Sequence, residues 1–135
     1  MSVTYFSSNK VLDFNFGVVS YTPPATHYFA LSTTSPNIDS TGFTEPSSGA
    51  YARVALANNK TNWTTAASGV LTNASAVTFA ESTASWGTIL AVGMFDALTS
   101  GNLLWYDVLS PSRVVASATT VLFAIGSITV QFNNS

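Results

Sequence analysis

The sequence predicts an all-β fold: an antiparallel β-sandwich of the jelly-roll or immunoglobulin-like kind, preceded by a short helix. Three observations support it. About seven short segments alternate apolar and polar residues, polar turns separate them, and 47% of the 135 residues are apolar. That length and apolar content suit one hydrophobic core. We therefore expect a single domain over residues 1–135, in which residues 1–20 form an N-terminal arm and helix.

The helix is expected close to the start of the sequence. Ser7 or Ser8 can cap it, and Gly17 is suited to ending it. Its apolar side chains lie on one side: Val11, Leu12 and Phe16. Two consecutive prolines within residues 21–25 then force the backbone into an extended conformation.

Strands are predicted along the rest of the chain. The segments with the period of a strand are residues 26–32, 51–57, 76–79, 86–95, 103–108, 120–124 and 127–132. A turn at residues 96–102 makes the clearest hairpin, and Pro111 is expected to end its second strand. The loop at residues 33–49 is long and polar, and such loops usually make contacts.

The low content of charge narrows the possible functions. Charged residues make up 7% of the chain, against about 25% in an ordinary soluble domain. With a formal net charge of −2 there is little repulsion between neighbouring molecules, so we expect a surface that sits against other proteins. Four scattered Lys and Arg residues form no basic stripe for nucleic acid. Neither a membrane span nor a secretory signal is expected, and the absence of cysteine excludes disulfides.

Two polar segments outside the predicted sheet form the candidate partner interface. Trp63 is surrounded by Asn and Thr residues, a setting that predicts an exposed aromatic anchor with hydrogen-bonding neighbours. The loop at residues 33–49 adds an aromatic ring and a carboxylate. The residues predicted to contact a partner are Trp63, Asn59, Asn62, Thr64, Phe43 and Glu45.

Catalytic and metal chemistry has little support. His27 is the only histidine and lies in a predicted strand, so we expect it to be structural, with no metal or cofactor. The six carboxylates fall one to a segment, so a small glycosidase is an alternative without an identifiable catalytic pair. Asp96 begins a turn, where its side chain can bond nearby amides.

Other conspicuous residues are expected to be structural. Arg53 interrupts a predicted strand and can pair with Glu45 across the loop. Trp86 and Trp105 lie inside predicted strands and are expected in the core. Asn73-Ala-Ser matches the glycosylation acceptor pattern, but in a chain so rich in Asn, Ser and Thr such matches arise by chance.

A series of motifs spans most of residues 21–130. A Pro-Pro block lies within residues 21–36 and a Tyr-Ala-Arg block within residues 41–54, and further motifs follow at residues 76–79, 86–89, 95–106 and 123–130. In this order they resemble a family of small virion proteins of tailed bacteriophages. The resemblance implies a noncatalytic β-rich module of the kind labelled tail-fibre or general virion protein.

We therefore expect a non-enzymatic structural protein of a bacteriophage virion, assembled in the host cytoplasm. The favoured interpretation is a capsid decoration or cement protein that bridges major capsid protein subunits, because no heptad or fibrous repeat would form a shaft. The alternatives are a tail-fibre or tail-associated module that binds host-surface glycan through exposed aromatic residues, and the small glycosidase. The major capsid protein or other virion proteins are the expected partners, and a homotrimer or homodimer is the expected assembly.

Overall fold

Short antiparallel strands carry most of the regular structure. The computed structural model describes residues 1–132, and these contain one helix and nine strands. In chain order the elements are β1 (Ser2–Val3), α1 (Tyr5–Asn15), β2 (Thr26–Ser32), β3 (Val54–Ala57), β4 (Val70–Thr72), β5 (Val77–Thr78), β6 (Gly87–Phe95), β7 (Leu103–Val115), β8 (Leu122–Phe123) and β9 (Thr129–Gln131). The prediction of an all-β fold with a short N-terminal helix is confirmed. Strands β1 and β4 were not predicted.

Five strands form one antiparallel sheet in the order β1-β7-β6-β2-β3. The other four pair as two ribbons, β4 with β9 and β5 with β8. The predicted turn at residues 96–102 joins β6 to β7, the longest pair in the sheet. The second layer of the sandwich therefore consists of two ribbons and their connections rather than one continuous sheet.

Strand β7 continues past Pro111, so the prediction that this proline ends the strand is wrong. It pairs with β6 on both sides of the proline, through Val108 with Ala91 and through Arg113 with Ile89. The register shifts between these two pairs, which places the proline outside the hydrogen-bonded ladder. A residue without an N–H is tolerated at such an irregularity.

The main core lies between the sheet and the two ribbons. It includes Phe29, Leu31 and Ile89 from the sheet, with Val77 and Phe79 from the β5 region. Each of these five side chains is almost completely buried. Because burying one such side chain contributes about 1.5 to 3 kcal/mol, this cluster is the principal source of stability.

The opposite face of the sheet is covered by the loop between β2 and β3. The ring of Phe43 packs edge-on against Phe95, with the ring centroids 5.1 Å apart. It also fills the space over Gly93, where the Cβ of any other residue would clash with the ring. The glycine inside the apolar strand β6 is thus explained by the close approach of an aromatic ring.

Helix α1 begins earlier than predicted. Its N-cap is Thr4, whose Oγ1 accepts the N–H of Ser7, so the prediction of Ser7 or Ser8 as the cap is wrong. The Thr4 hydroxyl also lies 2.7 Å from the carbonyl oxygen of Leu103 and donates to it, which ties the start of the helix to β7. Gly17 follows the helix with a φ of +71°, a conformation that favours glycine.

Candidate functional site

The polar turn after β3 is held by its own side chains. The Asn59 Oδ1 accepts the N–H groups of Thr61 and Asn62 at 3.0 and 3.2 Å. The Asn62 side chain donates to the carbonyl of Ala57 at 2.9 Å and accepts from the hydroxyl of Ser75 at 2.8 Å. These amides therefore shape the turn first, and their predicted contacts with a partner stay a prediction.

Trp63, in the same turn, points inward. Its side chain is only 7% exposed, so the prediction of an exposed aromatic is wrong. The indole lies 5.7 Å from the ring of His27 and 6.2 Å from that of Phe29, so it covers the ribbon-facing side of the sheet. The neighbouring Thr64 stays exposed and accepts the N–H of Thr72 at 2.9 Å. Polar neighbours mark the turn, and the indole fills the core beneath it.

Phe43 and Glu45, the other two predicted contact residues, are not brought together with Trp63. The ring of Phe43 packs on the face of the sheet opposite to the one that Trp63 covers. Both side chains are half-buried. The six predicted residues thus form no single surface.

The expected pairing of Arg53 with Glu45 is confirmed. Two guanidinium nitrogens donate to the two carboxylate oxygens, at 3.0 and 2.8 Å. The third nitrogen donates to the carbonyls of Ala97 and Ser100, and the guanidinium lies 3.7 Å from the ring centroid of Phe95. With the Arg53 side chain only 6% exposed, this cluster fastens the long loop to the β6–β7 turn.

Tyr51 joins the same cluster. Its hydroxyl donates to Glu45 at 2.8 Å and accepts the N–H of Leu31 at 2.9 Å. Burial, with the negative charge of Glu45 beside it, raises the pKa of Tyr51 well above its ordinary value. The phenol therefore stays protonated and serves as a fixed donor rather than as a base.

Two further carboxylates are engaged in local turns. Asp96 accepts the backbone N–H of Asn102 at 2.7 Å and its side-chain N–H at 2.8 Å, the turn role expected for this residue. Hydrogen bonds from Thr41 lower the pKa of Asp39. Within residues 1–132, no three His, Asp or Glu side chains lie close enough together to hold a metal ion.

His27 packs among apolar side chains. Burial lowers its pKa to about 4, so the imidazole is neutral at neutral pH. Among the described residues, neither its Nδ1 nor the buried Nε1 of Trp63 has a hydrogen-bond partner. This environment fits the structural role expected for the histidine.

The most exposed apolar surface lies at the end of helix α1 and directly after it, and the sequence reasoning missed it. We call this surface the apolar arm; its members are Leu12, Phe14, Phe16, Val18 and Val19. Phe16 is 79% exposed and Val18 is 71% exposed. The detectable signal was an apolar residue at every second position from 12 to 18, which suits neither a helix face packed on a core nor a soluble loop.

A second apolar feature is a groove between β7 and the β4–β9 ribbon. It consists of two adjacent hollows of about 220 and 290 Å³ that share Leu71, Trp105 and Val130 as walls. We call it the Trp105 groove. The larger hollow is also lined by Phe132, whose ring lies 5.4 Å from that of Trp105. Trp105, predicted to be a core residue, is half-buried and packs against the core from this groove.

The arm and the groove offer apolar area rather than groups for acid–base or nucleophilic chemistry. None of the described residues that line the groove carries a formal charge, and the five side chains of the arm are hydrocarbon or aromatic. Neither has a nucleophile beside a base. What this arrangement can do is bury apolar area against another surface.

A family model matches nearly the whole of the described chain. The family model described as "Podophage GP4 fiber I protein gp80" matches residues 2–131 of the chain. A search of curated proteins found no match. In the described part of the chain, no helix combines the length and the apolar character needed to span a membrane.

Proposed function

The chain belongs to the family of the podophage GP4 fiber I protein gp80 and is a structural component of a bacteriophage virion, and on that premise we propose that it is a noncatalytic building block of a fibre. In this role it binds neighbouring virion proteins as the particle assembles in the host cytoplasm. The family match over residues 2–131 supports a fibre more than a capsid decoration protein. The decoration role predicted from the sequence has no comparable support.

The structural observation that carries the proposal is the apolar arm. Five apolar side chains, each half exposed or more, present on the order of 500 Å² of apolar surface, since an aromatic side chain alone covers about 150 to 250 Å². Leu12 and Phe14 lie two positions apart in the helix and so on different sides of it, but exposed apolar side chains concentrated in so short a segment often mark a contact site. In an assembled virion a structural protein is in constant contact with its neighbours, and such contacts cover the apolar arm.

The glycan-binding alternative is weaker than the assembly role. It relied on Trp63 as an exposed platform, but that indole is buried against Phe29 and His27. The glycosidase alternative also lacks support, because Glu45 is neutralised by Arg53 and Asp96 is engaged in a turn.

The test is complementation of a phage that lacks the gene for this chain. Parent protein, Phe16→Asp and the control Leu98→Asp are supplied during infection; Leu98 is an exposed apolar residue in the β6–β7 turn, outside the arm. We expect the parent and Leu98→Asp proteins to enter particles and Phe16→Asp to be largely absent. Gold-labelled antibody should then mark the fibres. Labelling over the head surface would overturn the fibre assignment, and equal incorporation of all three proteins would overturn the role of the arm.

A further inference from the structure

The apolar arm is uncovered in the isolated chain. Phe16 is the residue after the last helical position, and Gly17 directs the backbone away from the helix beyond it. Its ring is the most exposed large apolar side chain among the described residues. Covering such a ring is favourable in proportion to the area removed from water, so a partner that offers an apolar hollow would bind it.

The Trp105 groove is a hollow of suitable size and chemistry. Its larger half has a volume of about 290 Å³, and an apolar cavity of about 150 Å³ is already sufficient to hold benzene. Trp105 and Phe132 meet edge to face at its wall, an arrangement to which a third aromatic ring can be added. One phenyl ring therefore fits with room for an adjacent aliphatic side chain such as Val18.

We propose that the Phe16 ring of one copy of this chain inserts into the Trp105 groove of a second copy. This deepens the proposed assembly function and rests on it, since it names the partner of the arm. Every copy carries both an arm and a groove, so each surface has a matching occupant at equal concentration.

The charges on the two surfaces are compatible with such a contact. Helix α1 contains one cation, Lys10, and one anion, Asp13, and no charged side chain among residues 1–132 lines the groove. Bringing the two together therefore desolvates little charge. A ligand or partner with a strong charge would gain nothing from either surface.

Arm and groove are different surfaces, so each insertion joins the arm of one copy to the groove of another. Two copies can insert reciprocally and form a two-fold dimer, or successive copies can insert head to tail and close into a ring when the rotation between copies permits. Both differ from a dimer in which the arm of one copy meets the arm of the other. The difference can be measured, because a single insertion needs one intact arm and one intact groove but not both on the same copy.

The first experiment is sedimentation velocity of the full chain from about 1 to 500 µM. The parent and the control Leu98→Asp should associate, and Phe16→Asp should need roughly 30-fold higher concentration or more, the loss typical of an interface hot spot. Ala66→Trp fills the groove from its exposed rim and should have the same effect, whereas Ala116→Trp, at an exposed position outside the groove, should not. Thermal melts establish that each variant is folded.

The second experiment mixes the two defective variants. Phe16→Asp has an intact groove and Ala66→Trp an intact arm, so the mixture should form a one-to-one dimer at concentrations where each alone is a monomer. No dimer in the mixture, or association of Phe16→Asp equal to the parent, would overturn the proposal. If Phe16→Asp melts below the parent, Ala66→Trp and its control decide the result.

The fibre role and the self-insertion of Phe16 would be overturned by different results. A parent chain that is monomeric up to 500 µM yet enters fibres would overturn self-insertion and leave the fibre role standing. A chain that associates through arm and groove in solution but is absent from fibres would overturn the fibre role and leave the contact standing.

Discussion

Arg53 and Glu45 form a bidentate ion pair in which Nε donates to Oε1 at 3.0 Å and Nη2 donates to Oε2 at 2.8 Å. The remaining nitrogen, Nη1, donates to the carbonyls of Ala97 and Ser100, so all three guanidinium nitrogens have partners. The arginine is buried, whereas the carboxylate is partly exposed. In a chain with so few charges, this pair holds the loop at residues 33–49 to the β6–β7 turn.

Replacing Arg53 should therefore be costly. We expect Arg53→Ala to lower the free energy of unfolding by about 3 kcal/mol, because Glu45 loses its cation and two carbonyls lose their donor. Arg53→Lys keeps the charge but not the planar fork of donors, so it should recover less than half of that loss. Urea denaturation measures both. A loss below about 1 kcal/mol for Arg53→Ala would show that the pair contributes little.

The loss of stability on replacing each of the three tryptophans by alanine should increase with the burial of its side chain. Trp63→Ala and Trp86→Ala should each lower the free energy of unfolding by about 3 to 5 kcal/mol, since both side chains are buried. Trp105 is half-buried, so Trp105→Ala should cost about 1 to 2 kcal/mol. Chemical denaturation of the three variants tests this order. A Trp63→Ala protein as stable as the parent would contradict the burial of the indole.

Residues in long alternating segments could be placed from the sequence. Strands β2 and β6 were predicted close to their observed bounds because each has one or more strongly apolar faces and clear turn residues at its ends, and the turn at residues 96–102 was predicted where it is observed, between β6 and β7. The pairing of Arg53 with Glu45 was predicted because a lone charge in an apolar strand requires a partner.

Other features depend on packing that local sequence does not encode. Strands of two or three residues, such as β1 and β4, exist because a neighbouring strand offers backbone partners. Trp63 has polar neighbours, yet it turns inward because the sheet face beneath the turn needs a cover. The Trp105 groove joins residues distant in sequence, from Leu71 to Val130, and only the assembled fold creates it.

The stability of the protein should fall in mildly acidic solution because of His27. Burial lowers its pKa to about 4 in the folded protein, against 6.5 when unfolded. Below pH 6.5 the unfolded chain takes up a proton that the folded chain does not, so the free energy of unfolding is constant above that pH. It should fall by a total of about 3 kcal/mol between pH 6.5 and about 4.

Denaturation at a series of pH values measures this effect, with His27→Gln as the matched control. The variant should show a flat profile over the same range. Asp39, whose pKa is lowered by Thr41, loses its contribution only as the pH falls below its ordinary value of 3.8, outside this window. A parent profile that is flat between pH 6.5 and 4.5 would contradict the inference.

Asn73 should be the most sensitive polar residue of the ribbon layer. Its amide is completely buried: the nitrogen donates to the carbonyls of Ser75 and Ala124, each at 2.9 Å, and the oxygen accepts the N–H of Ile128 at 2.9 Å. A side chain with both ends occupied inside the protein is no acceptor for a glycan, which agrees with treating the Asn73-Ala-Ser match as chance.

Asn73→Ala should lower the free energy of unfolding by about 1 to 3 kcal/mol, because it leaves the buried N–H of Ile128 without its acceptor and removes the donor to the carbonyl of Ser75, whereas the carbonyl of Ala124 keeps the N–H and hydroxyl of Ser127 as donors. Asn59→Ala, which removes an exposed turn amide, should cost at most about 1 kcal/mol.

Asn73→Asp should be as harmful as Asn73→Ala at pH 7, since it buries a charge and removes the donor. Because protonation removes that charge, Asn73→Asp should gain stability relative to Asn73→Ala as the pH falls from 7 to 5. Urea curves at the two pH values measure the difference, and equal losses for Asn73→Ala and Asn59→Ala would show that the buried amide is not what joins the ribbons.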